Sequence, residues 1–294
     1  MSKQIAIAIV HGMGKQEPHF WTDMAKDITA RFASATKLTK QAAQEALVIQ
    51  PVYWAPVLQP KEELLWSKLL SGGELDFLSL RRFMVEFAAD AMAYQPLPGE
   101  KNVYSDIHEV FADSLANLVK RSGPDLPLVV IAHSLGTVVA SNYFYDLLKS
   151  FPVAGPRRTD LIPPAVQARI GETPLEHGQT FSWFFTMGSP IALWSLRYEN
   201  PTFGIPITVP APAFHAAHPG LRCGWINLFD EDDVIGYPLK PLYGDAILAD
   251  KQVNSGGILA SWNPLSHNGY WDDDDVTGKI AKELAAFWKG LPGP

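Results

Sequence analysis

Six short stretches rich in Ile, Val, Leu and aromatic residues, at 4–10, 47–54, 127–132, 180–187, 223–229 and 245–253, are for the most part continuously apolar. A strand with one wet face alternates apolar and polar side chains, whereas a strand covered on both faces has no need of a polar side. These stretches therefore read as strands sandwiched between layers of helix. Helical spacing fills the intervals at roughly 20–35, 61–70, 77–94, 105–121, 135–149 and 276–289. Alternation of strand and helix implies right-handed crossovers and an α/β architecture, a mostly parallel, doubly wound sheet of about six strands. With 294 residues, one domain spanning 1–294 can bury such a core and still carry insertions. Two segments interrupt the alternation, at about 55–100 and about 150–220, the second rich in Pro and Gly. Both are candidates for a cap or lid. The apolar spacing of Trp66, Leu69, Leu70, Phe77, Leu80, Met84 and Phe87 in the first reads more simply as helices laying one face on the core.

Composition excludes several classes of function. A formal net charge of −7 leaves no electrostatic footprint for nucleic acid or anionic lipid. No apolar run is long enough to span a bilayer, so stable membrane insertion is not expected. The start, "MSKQIAIAIVHGMG", lacks a cleavage pattern and reads as a buried strand, which together with the single cysteine, Cys223, suggests a cytoplasmic protein. One cysteine also rules out a disulfide framework or a cysteine-rich zinc site. The "DDDD" run at 272–275 reads as a solvated, dipole-favoured start to the last helix and not as a metal site, and His215 and His218 read as part of a surface loop. No metal or cofactor is expected.

One strand-to-helix junction stands apart from the others. In "AHSLG", 132–136, Ser134 follows an apolar strand and precedes a helical pattern. A turn this tight strains the serine backbone and demands very small residues two positions to either side, here Ala132 and Gly136. It also aims the Leu135 N–H, at the helix N-terminus, into the space above the hydroxyl. A nucleophilic serine at such a turn takes its acid and then its histidine from later in the chain. Of eight histidines only His267 lies beyond the last acid-bearing strand end, so it is the candidate base. The strand end "WINLFDEDDVIGYPL" offers Asp230, Asp232 and Asp233. Three carboxylates cannot all be buried at low cost, and Asp233 is the expected orienter because an acid followed by an apolar pair and then proline suits this loop, with Asp230 in reserve. A second oxyanion donor is expected from "VHGMG" at the end of the first strand, where Gly12 and Gly14 permit the turn and the Met13 N–H is the candidate donor. The same loop lacks the third glycine of a dinucleotide fingerprint and the spacing of a phosphate loop.

Taken together, "VHGMG", "AHSLGT", "GSPIALW" (188–194), "NLFDEDDVIGYPLKPL" (227–242) and "SHNGYW" (266–271) resemble, in order, the blocks of α/β-hydrolases, and more narrowly the catalytic regions of DDHD-type phospholipases and related lipase-like proteins. The resemblance implies Ser134, Asp233 and His267 as a catalytic triad, Met13 and Leu135 as oxyanion donors, and Gly12, Gly14, His133 and Gly136 as supporting residues. It implies an esterase or lipase-like serine hydrolase acting on a small-molecule or lipid ester through an acyl-enzyme. A non-catalytic binding module on the same fold and an acyltransferase using the same triad are the alternatives. Ala132 stands where these relatives carry glycine.

Overall fold

The computed structural model describes residues 3–96, 102–197, 207–255 and 266–293. Parts of both expected insertions, 97–101 and 198–206, lie outside the described residues, as does 256–265. In chain order the elements are β1 (Ile5–Val10), α1 (Thr22–Thr36), α2 (Lys40–Ala46), β2 (Leu47–Val52), α3 (Ala55–Ser71), α4 (Leu78–Ala93), α5 (Val103–Ser122), β3 (Leu128–His133) and α6 (Leu135–Ser150). There follow α7 (Pro164–Gln167), β4 (Phe181–Met187), α8 (Ile191–Trp194), α9 (Pro212–Ala217), β5 (Gly224–Asp230), α10 (Lys240–Tyr243), β6 (Ala249–Val253), a 3-10 turn (Ser266–Trp271) and α11 (Asp274–Gly290). All six strands pair in parallel in one sheet of order β2-β1-β3-β4-β5-β6.

Every residue of β1, β3 and β4 is buried, as the nearly continuous apolar runs predict. Helices α1 and α11 pack together on one face, where Phe287 meets Trp183 edge-on. Helices α5 and α6 cover the other, where Phe144 stacks on Phe181 at 4.2 Å. The pairing of β3 with β4 shifts between Leu128 and Val129, so one extra β4 residue is absorbed there. That bulge puts Phe181 and Trp183 on opposite faces despite their spacing of two. Edge strand β2 is covered by side chains of α5: Arg121 Nη1 donates to the Ile49 carbonyl at 2.8 Å, and Ser114 Oγ, which donates to the Val110 carbonyl at 2.8 Å, lies 3.3 Å from the Pro51 carbonyl.

Chain order and sheet order part company between β1 and β3, because the chain runs outward to β2 and then crosses back. Ligand crevices in such sheets open at the carboxyl ends of the strands on either side of that switch. The loop Gly12–Gly14 and Ser134 occupy those two ends.

Three expectations need correction. Helix α3 begins at Ala55, with Pro56 in its first turn, well before the expected 61. Most of the apolar face of α3 and α4 does not lie on the core: α3 buries only Ala55, Leu58 and Glu62, and Leu69, Leu70, Phe77, Leu80 and Met84 are exposed, while Phe87 does pack against the core. Amphipathic spacing records an apolar face and not what covers it, and here α3 and α4 pack on each other around an open groove of about 610 Å³. His215, finally, sits in α9 and not in a loop. At 272–275, Asp273 caps α11 by accepting from Asp275 N and Val276 N, Asp274 pairs with Arg31 and Asp275 with Lys279. Among the described residues no cluster suited to a metal ion and no helix long and apolar enough to cross a membrane occurs.

Candidate active site

Ser134 has φ 53° and ψ −131°, a region that a residue with a Cβ occupies only under strain. Close packing on all sides holds it there. Its N–H donates to the Met187 carbonyl at 2.9 Å, and its carbonyl accepts from Thr137 N at 2.9 Å and Thr137 Oγ1 at 2.7 Å. The sequence requirement for small neighbours has a direct cause: a Cβ on Gly136 would lie 2.2 Å from the His11 carbonyl oxygen, and one on Gly12 2.5 Å from the Ser134 Cβ. Ala132, paired with Val10, fits within the sheet without distortion of the strand.

His267 reaches Ser134 from the 3-10 turn, with Nε2 2.5 Å from Oγ. Its Nδ1 lies 2.9 Å and 3.0 Å from the two carboxylate oxygens of Asp233. A carboxylate only accepts, so Nδ1 carries the proton and Nε2 is left to accept the serine O–H. Asp233 also accepts from Ile235 N at 3.0 Å and from the Tyr270 hydroxyl at 3.0 Å. Burial alone would raise the Asp233 pKa, but the hydrogen bond and charge of His267, the Ile235 N–H and the Tyr270 hydroxyl together hold it below the usual carboxylate range. Ser134, Asp233 and His267 are all buried.

Asp230, the reserve candidate, points elsewhere. One of its oxygens accepts from Asp232 N and the other from Ser255 N and Oγ, so it ties the end of β5 to the segment after β6. Asp232 contributes its N–H to that turn.

The loop after β1 is fixed by His11, to which sequence reasoning gave no role. Its Nε2 accepts the N–H groups of Trp54 and Ala55, at 3.0 and 3.1 Å, at the start of α3, so Nδ1 donates to the Gly12 carbonyl at 2.7 Å. Burial keeps it neutral, with the pKa lowered to about 3. Gly14 takes φ +75°. Among the described residues no acceptor engages the Met13 or the Leu135 N–H. His133 is likewise buried and neutral, lowered to about 3 by burial and by the neighbouring His267, and its Nε2 donates to the His267 carbonyl at 2.6 Å. It thereby fixes the backbone that carries the imidazole.

Behind this loop lies a second group of carboxyls. Asp90 of α4 is wholly buried and accepts a long bond from Gly14 N at 3.4 Å. Burial, Glu62 of α3 and Glu86 raise its pKa to about 9, so Asp90 is protonated at neutral pH. No sequence signal marks it, because carboxyls default to the surface.

Six parallel strands in this order, helices on both faces and a strained serine at the end of the third strand define an α/β-hydrolase-like fold. No family model and no curated protein matches the sequence. Among solved structures, the esterase domain of a Rhodothermus marinus protein aligns with 97% of this chain and 87% of its own, at 9% identity and a TM-score of 0.35. A likeness that loose carries no weight for activity.

Proposed function

We propose that the protein is a serine hydrolase that cleaves carboxylic esters. The supporting observation is the single line of hydrogen bonds from Asp233 through His267 to a strained Ser134. Ser134 Oγ attacks the ester carbonyl while His267 Nε2 takes its proton. The imidazolium is stabilised by Asp233, and the free Met13 and Leu135 N–H groups receive the developing oxyanion. His267 then protonates the departing alkoxide, releasing the alcohol and leaving an acyl-serine. Water, deprotonated by the same imidazole, attacks that ester, and Ser134 leaves with the proton returned. His11 and His133, both neutral, hold the loop and the backbone of the base without exchanging protons themselves.

The exposed apolar hairpin α3–α4, joined to the oxyanion loop through Asp90, serves in this reading as a cap and favours a fatty-acyl or aromatic ester over a small polar one. The decisive experiment is labelling with a fluorophosphonate probe, which reacts only with an activated serine. Wild-type protein should label, and Ser134→Ala and His267→Ala should not. Well-folded wild type that stays unlabelled would overturn the assignment. A rate on a poorly soluble ester that climbs sharply above its solubility limit would support the cap.

A further inference from the structure

We infer that Tyr270 is a positioning residue of this site, acting on the base through Asp233; the inference rests on the serine-hydrolase reading. The phenol oxygen accepts the Asp230 N–H at 2.8 Å and lies 3.0 Å from Asp233 Oδ2. An amide can only donate, so the phenol proton is directed to the carboxylate. Both side chains that grip Asp233, those of His267 and Tyr270, come from one six-residue 3-10 turn. Side chains three apart on a 3-10 helix eclipse each other, so the turn presents imidazole and phenol side by side to the same carboxylate.

The pocket around that carboxylate leaves it one orientation. A Cβ on Gly236 would lie 2.6 Å from Asp233 Oδ2, and one on Gly188 would lie 2.9 Å both from Oδ2 and from the Tyr270 ring. With Ile235 N on Oδ1 and Tyr270 on Oδ2, the carboxylate cannot rotate away from Nδ1. The ionisable groups facing Tyr270 are Asp233, Asp230 and the neutral His133, whose ring centroid is 5.6 Å away. Burial and the Asp233 charge push the phenol pKa upward, so it remains a donor throughout the working range. Drawing part of the Asp233 charge into its own hydrogen bond, Tyr270 also moderates the pull of Asp233 on the imidazolium.

The test compares wild type with Tyr270→Phe, following the rate of fluorophosphonate labelling as a function of pH. Removing the donor concentrates charge on the oxygens facing His267 and makes the imidazole more basic. The acid limb of the pH–rate profile should then move up by about half a unit or more, and the plateau rate should fall about tenfold, as for one lost bond to a charged group. Tyr270→3-fluorotyrosine, installed by codon suppression, keeps the fold while strengthening the donor, and should move the limb down. A purely structural role would lower the melting temperature and leave the limb in place in both variants, which overturns the inference while the hydrolase reading stands. Wild type that does not label removes both together. Should Tyr270→Phe fail to fold, the 3-fluorotyrosine shift alone decides.

Discussion

Two buried aspartates on either side of the same serine meet opposite fates. Asp233, in the turn after β5, is held below the normal carboxylate range, while Asp90, on α4, is raised to about 9. Burial is nearly complete for both, so it does not account for the difference. Donors do. Asp233 has an imidazole, a backbone N–H and a phenol aimed at it, whereas Asp90 has one long N–H and two carboxyl neighbours, Glu62 and Glu86. A carboxyl surrounded by donors is a charge with a task. One surrounded by acceptors is a neutral hydrogen-bonding group, and it holds its element in place only while it keeps its proton.

The sharpest way to break this contrast is Asp233→Asn. The amide keeps the size but offers His267 Nδ1 no charge and can force the wrong tautomer, so labelling of Ser134 should slow by about 10⁴-fold with the fold intact. Full reactivity would show that the donors around Asp233 serve stability alone.

Asp90→Asn should have a smaller effect with the opposite sign. Because the folded pKa lies above the unfolded value of 3.8, the stability associated with Asp90 is fully present below about 3.8 and is lost as pH rises toward 9. The asparagine variant has no proton to lose. It should match wild type near pH 3.5 and exceed it at pH 8 by a margin on the order of 2 kcal/mol in urea unfolding. A constant difference across that range would place the proton elsewhere.

Packing gives the third comparison, between α11 on the core and α4 in the hairpin. Leu284→Ala, wholly buried on α11, should cost about 2–5 kcal/mol, and Leu80→Ala, half exposed on α4, no more than about 0.5 kcal/mol. Equal losses in chemical denaturation would mean that the hairpin's apolar face is covered in solution.

The same contrast separates what could be read in the sequence from what could not. The sheet was legible because β1 is apolar at every position and β3 and β4 at most of theirs, with no period-two alternation, a pattern that two-sided burial explains. The serine turn was legible because Gly136 and Ala132 answer a steric demand local to five residues. Choosing His267 needed only chain order, and in the structure it lies between Asp233 and Ser134. Tyr270 was visible as part of "SHNGYW", yet its bond to Asp233 crosses 37 positions and leaves no local mark. Asp90 and Glu62 were hidden for a related reason: a protonated buried carboxyl and a solvated one are the same letter. The hairpin faces were misassigned because helical periodicity reports amphipathicity and carries no information about the partner.

The covered edge at β2 has a consequence for how the molecule behaves at high concentration. A bare edge strand offers a row of carbonyls and amides on which another chain can build. On the outer side of β2, Arg121 already occupies the Ile49 carbonyl, Ser114 crowds the Pro51 carbonyl at 3.3 Å, and Pro51 has no amide hydrogen to offer. At the other margin β6 is short and half-exposed and carries Asp250 and Lys251, the latter paired with Glu283. At the β2 margin, therefore, a second chain could pair only after Arg121 had been displaced from the Ile49 carbonyl, so the helix that covers the face of the sheet also guards that edge.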